Sequence, residues 1–305
     1  MTFIIFLQAL FATSFPMGKY LLQFAPPFFL SGARMFIAGG ILLIYQYFLP
    51  SREFKVKRKH LFMFAQITFL GMYVTYALRL YALDVLPVWK VSFFYNLSPF
   101  LSAFYAYLLF NERLSTKQWI GLSIGLLGMM PTLISKSASE ATLNEFFYVS
   151  TYELFLFISV SLHCYSWLLI QKLVHHKNYD TSIVNGVCMA SAGFLSLMTS
   201  YAIEGPAPVY DPSAFCKGLF FMVFVSNILC HNIYAGLLRK YSATFMSFTS
   251  FLSPLFAALY AWAFFNETIT WHFYISIAIV LIGLYLFYQD ELKYKANFEE
   301  KKVEI

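Results

Sequence analysis

Charged side chains are what this sequence most lacks. Only 12% of its 305 residues are Asp, Glu, Lys or Arg, about half the share of a soluble domain. So thin a charged layer cannot cover the surface of a water-soluble fold. With 60% hydrophobic residues, the composition excludes a cytosolic enzyme and also a disordered or fibrous chain. Cysteine is sparse: Cys164, Cys188, Cys216 and Cys230 lack the paired spacing of a metal site and are expected to be buried free thiols. No histidine pair stands four residues apart in an apolar run, and there is no GxSxG and no glycine-rich phosphate loop. No enzyme constellation, metal or cofactor is therefore expected, and nothing suggests direct ATP drive. The first sixteen residues, MTFIIFLQALFATSFP, lack the positive n-region of a signal peptide and read as an uncleaved first helix.

Long apolar runs are what the sequence has. A bilayer-crossing helix needs about 20 apolar residues, and runs near 2–23, 27–49, 60–83, 87–110, 117–135, 150–171, 181–202, 215–237, 242–265 and 270–288 meet that length. The expected fold is all-α, polytopic and of ten transmembrane helices, with the lipid bilayer as its surroundings. Fifteen of the 21 cations fall in alternate connections and in the tail, among them Arg52, Lys55, Lys57, Arg58 and Lys59 in the first such loop. By the positive-inside rule both termini are cytoplasmic. The net charge of +6 is then a topology signal, and nucleic acid is not an expected partner.

The sequence also repeats itself. Residues 96–130 and 251–285 align without gaps at an offset of 155, with 13 of 35 positions identical. The matches include Ser98/Ser253, Pro99/Pro254, Asn111/Asn266, Glu112/Glu267 and Gly128/Gly283. Phe-rich composition alone would not bring Ser-Pro and Phe-Asn-Glu into one register. Five helices per copy is an odd number, so the second copy enters the membrane upside down, as in many secondary transporters. The expected units are 1–136 and 150–288, joined by an external connection at 137–149 and followed by a charged cytoplasmic tail at 289–305.

With Pro99, FNERLSTKQWIGLSIGLLG at 110–128 and the second Pro254 and FFNETIT, the chain resembles the drug/metabolite transporter superfamily, EamA-like type. That resemblance implies ten helices in two halves, alternating access and a small-molecule substrate. Within it, FPMGKYLLQFAPPFFLSGARMFIAGGILLIYQYF and the FNERLSTKQW segment are similar to the S-adenosylmethionine/S-adenosylhomocysteine carriers of intracellular bacteria, which would place the chain in an inner membrane as an exchanger. Export of amino acids or drugs is the alternative within transport, and a membrane enzyme or receptor-like bundle the alternative outside it. The chain departs from the pattern of the family it resembles in having only 14 Gly against 36 Phe.

Charges within spans are costly and mark candidate sites. Lys19, Arg34, Arg79, Lys90 and Lys217 all fall in the outer half, where they would attract a carboxylate. Lys19 and Lys90 read equally as snorkelling side chains, and Lys217 reads so more readily. Arg34 also fits the family pattern, as a packing or gating residue. Polar stripes at helical spacing add Thr75 and Tyr76 beside Arg79, His163 and Trp167, Asn227 and His231, and Ser250. Helix–helix hydrogen bonding is the competing reading for these, above all for Ser and Thr. Inward rings would stack on a flat base or face a sulfonium. Few acids lie within the spans, which points to exchange or facilitated flux rather than proton coupling. Glu153 and Asp84 stand near span ends.

The topology is testable by labelling intact cells with an impermeant thiol reagent. Engineered cysteines in 137–149 and 204–211 should react, and those in 51–59 and 289–305 should not; protection of 204–211 would reverse the orientation.

Overall fold

The computed structural model describes residues 2–48, 56–86, 88, 91, 94–137, 150–206, 209–253, 255–256, 259–260 and 271–303. Among the described residues every regular element is helical. In chain order these are α1 (Phe3–Leu21), α2 (Pro27–Phe48), α3 (Arg58–Val85), α4 (Ser98–Phe110), α5 (Thr116–Ser137), α6 (Thr151–His176), α7 (Thr181–Ile203), α8 (Pro212–Leu237), α9 (Ala243–Phe248) and α10 (Trp271–Val303). Six of them, α1, α2, α3, α6, α7 and α8, are long and apolar enough to cross a membrane. Their outward faces carry large exposed apolar residues such as Phe6, Phe48, Phe62 and Tyr201, a surface that water would not tolerate and hydrocarbon would.

Local chemistry sets where the helices start and stop. Ser150 and Glu153 form a capping box at the start of α6: Glu153 N donates to Ser150 Oγ (3.3 Å) and Ser150 N to a Glu153 carboxylate oxygen (2.7 Å). Glu153 is therefore spent on capping. Asp180, Asp211 and Ser242 cap α7, α8 and α9 in the same sense. The Asn111 of the repeated Phe-Asn-Glu motif adopts a left-handed conformation (φ 56°), and its amide closes α4 on Tyr107 O. The motif is a helix stop. Its second copy and Pro254 lie outside the described residues.

Two long crossings hold the bundle. A Cβ on Gly39 of α2 would lie 2.2 Å from the Ala190 nitrogen of α7, and one on Gly193 of α7 would lie 2.3 Å from the Phe36 nitrogen of α2. Gly32 faces Leu197, so partner numbers fall as residue numbers rise and the two helices run antiparallel. In the same way Gly121 of α5 meets Gly283 and Phe287 of α10, while Gly128 meets Ile279 and Val280. Small residues let backbones approach where no hydrophobic effect drives association.

Helices α3 and α8 share a second feature. Each widens from α-type to π-type hydrogen bonding, over Ile67–Val74 and Met222–Cys230. Such widenings recur at functional sites, and here each directly precedes a run of buried polar side chains.

One expectation is extended and one changes. The last helix runs past the span near 270–288 to Val303, in keeping with a tail rich in the helix formers Glu, Lys and Ala. Cys216 is exposed while Cys164, Cys188 and Cys230 are buried, because its position on α8 faces outward beside the buried Phe215 and Gly218.

Gly39→Val should unfold in detergent at a lower temperature than the parent, by about 1–3 kcal/mol of overpacking. The adjacent Gly40, where an added Cβ meets nothing within 4 Å, provides the control: Gly40→Val should leave the thermal midpoint nearly unchanged.

Candidate functional site

A cavity of about 80 Å³ lies where α1, α3, α4, α6, α8 and α9 converge. Gln8, Phe11, Ser14 and Phe15 line it from α1, Tyr76 and Arg79 from α3, and Tyr95 and Ser98 at the start of α4. His163 and Trp167 of α6, Ser226, His231 and Tyr234 of α8, and Ser247, Ser250 and Ser253 from α9 onward complete the wall. Many of these positions recur at the repeat offset. Tyr76 and His231 are 155 residues apart and hydrogen-bonded, Oη to Nε2 at 2.8 Å. Gln8/His163, Arg79/Tyr234, Tyr95/Ser250 and Ser98/Ser253 are spaced identically.

The electrostatics are one-sided. Arg79 is buried, its guanidinium carbon 4.3 Å from the Tyr76 ring centroid and 5.9 Å from that of Phe15. Arg34 of α2 stands just behind the wall, fully buried, with its guanidinium carbon 4.6 Å from the same Tyr76 ring. Its Nη1 reaches the Met222 sulfur at 3.3 Å, and its Nε and Nη2 have no hydrogen-bond partner among the described residues. Among the described residues no carboxylate lines the cavity. Two cations facing one ring without an acid make a strongly positive site in a low-dielectric setting. Cation–π contact offsets part of the cost.

The opposite wall is a ring cluster. Trp167 packs on Tyr234 with centroids 4.2 Å apart and on His231 at 5.3 Å. Its indole nitrogen donates to His163 Nε2 at 2.9 Å, which fixes the ring's rotation. His163 in turn meets Tyr76 and Tyr95 edge-on. Serine hydroxyls tie the floor together: Ser98 with Ser250 at 3.0 Å and Ser102 with Ser247 at 2.7 Å. Gln8 donates to Thr249 Oγ1 at 2.5 Å.

Of the residues singled out from sequence, Tyr76, Arg79, His163, Trp167, His231 and Ser250 meet at this cavity, with Arg34 behind it. The others are placed elsewhere. Lys19 caps the end of α3, its ammonium donating to the carbonyls of Leu83 (2.7 Å) and Asp84, a favourable place for a cation at a helix C-terminus. Thr75 staples α3 to α6: Ser159 Oγ donates to Thr75 O at 2.8 Å, and Thr75 Oγ1 lies 3.4 Å from Ser159 O. Asn227 is fully buried with an unpaired side chain but is not part of the wall. Lys90 lies outside the described residues. Sequence reasoning passed over Ser14, Ser226 and Phe11, which carry no individual signal, and Glu204. The Glu204 carboxylate, at the end of α7, accepts from Phe28 N (2.9 Å) and Phe29 N (3.0 Å) at the start of α2 and from the Tyr81 hydroxyl (3.1 Å).

With this geometry in place, likenesses to known proteins become informative. The model of the EamA-like transporter family matches residues 1–134 and 150–289. A protein of Chlamydia muridarum named S-adenosylmethionine/S-adenosylhomocysteine transporter is 31% identical over 95% of this chain and 92% of its own. A Chlamydia trachomatis protein of the same name is also 31% identical, over 95% of this chain and 90% of its own. The uncharacterized transporter YetK of Bacillus subtilis is 21% identical over 92% of this chain and 83% of its own. One solved crystal structure superposes with a TM-score of 0.73, covering 96% of this chain and 98% of that one at 15% identity, a likeness of fold alone. The chain belongs to the EamA-like transporter family, and is a multi-pass membrane transporter rather than an enzyme.

Proposed function

We propose that this chain is a ten-helix secondary transporter of two inverted five-helix halves that exchanges S-adenosylmethionine for S-adenosylhomocysteine across a bacterial inner membrane, with both termini cytoplasmic. The antiparallel pairing of α2 with α7 and of α5 with α10 supports the inverted halves, because each pair stands at the repeat offset. The π-type segments of α3 and α8, which begin 155 residues apart, support them too. The name of the chlamydial relatives supports the substrate.

The observation that carries the reading is the acid-free arginine pair at a ring-lined cavity. It asks for a ligand with a carboxylate to meet Arg79 and a flat aromatic ring system to meet the rings. S-adenosylmethionine and S-adenosylhomocysteine have both. The cavity, at about 80 Å³, is well below the ~300–1,000 Å³ of small-molecule sites, so the helices around it must part for such a ligand to enter. That is the motion alternating access requires.

Purified protein in liposomes should take up labelled S-adenosylmethionine saturably when S-adenosylhomocysteine is trapped inside, and a pH gradient alone should drive little uptake. Saturable transport of neutral amino acids in place of either adenosyl compound would overturn the substrate and leave the family intact.

Arg34 gives an independent test. Arg34→Met removes a buried cation with two unpaired donors, each worth about 1–3 kcal/mol of desolvation. The ligand-free variant should therefore melt above the parent while exchange falls. A variant both less stable and fully active would mean that Arg34 serves packing alone.

A further inference from the structure

We infer that the two halves divide the substrate between them: Arg79 of the first half takes the carboxylate, and Trp167 with His231 of the second half takes the purine. The inference rests on the proposed function and adds to it an orientation and the residues that impose it.

The cavity is symmetric in position and lopsided in chemistry. Arg79 has Tyr234 at the repeat offset, Arg34 has Met189, and Trp167 has Ala12. Among the described residues, both buried cations thus come from the first half and the one tryptophan of the wall from the second. A ligand with identical ends would find unlike partners at the two sides. A ligand with one anionic and one flat aromatic end has a single matching orientation.

A second observation points to the base. His231 is 3% exposed, its Nε2 is engaged by the Tyr76 hydroxyl, and its Nδ1 has no partner among the described residues. A buried unpaired ring nitrogen calls for a ligand group. Adenine suits either tautomer, since its edge carries ring-nitrogen acceptors and an exocyclic amino donor. The indole of Trp167 lies 5.3 Å from that imidazole with the two planes tilted by 32°, and both residues line the cavity. With its N–H bound to His163, the indole has no second donor to give and can meet a ligand only through its ring atoms.

Equilibrium binding to the purified full-length protein separates the two ends. The probes are S-adenosylhomocysteine, which has both, and 5′-methylthioadenosine, which has the purine and no carboxylate. Arg79→Gln should weaken S-adenosylhomocysteine by about tenfold or more and leave 5′-methylthioadenosine essentially unchanged. Trp167→Leu should weaken both probes alike, and Trp167→Phe, which keeps an aromatic face, should recover most of the binding. Equal loss of both probes in Arg79→Gln, or undiminished 5′-methylthioadenosine binding in both Trp167 variants, overturns the division while the proposed function stands. A parent protein that binds neither probe overturns both.

Discussion

Hydrocarbon supplies no hydrogen bonds, and every polar group carried into it must find its partner within the protein. Most of this fold follows from that demand. Serine hydroxyls pair across α4 and α9, Thr75 and Ser159 exchange bonds between α3 and α6, and Lys19 covers the last carbonyls of α3. Glu204 binds the free amides that begin α2. Several buried polar atoms among the described residues have no partner there, and two of their residues, Arg34 and His231, adjoin the Tyr76 side chain.

Much of the architecture was legible in the sequence because a membrane imposes one dominant constraint on composition. Apolar length marked the six helices that are long and apolar enough to cross a membrane. Part of the site was legible for a related reason: a polar stripe on a membrane helix must face inward, and Tyr76 with Arg79, His163 with Trp167, and His231 all lie on such stripes. Which polar residue faces the cavity and which faces a neighbouring helix was not legible. Thr75 and Tyr76 are consecutive, yet one serves packing and the other the wall. The capping role of Glu153 is written in Ser150 three residues earlier. That of Glu204 is not, because its partners Phe28 and Phe29 lie some 175 residues away in the chain.

The arginine pair shows how a transporter of this kind differs from a merely stable bundle. Replacing either cation by an apolar side chain would remove a desolvation cost, so packing alone gives no reason to keep both. Their setting against the Tyr76 ring softens the cost without neutralising the charge. In the proposed function this positive field in a ring-lined space serves an anionic group. Among the described residues no lining acid opposes it.

The glycine crossing of α2 and α7 has a mechanical consequence. Backbones in direct contact at Gly39 and Gly193 cannot slide past each other without raising a neighbouring side chain into the opposing main chain, so this pair behaves as a stiff spine. The wall of the cavity is joined instead through hydroxyls and ring edges, although α3 and α6 also approach closely where Gly71 meets Ser166. Stiffness and compliance are thus distributed unevenly through one small bundle. For the proposed alternating access, the α2–α7 pair would then be the fixed frame against which the cavity wall rearranges.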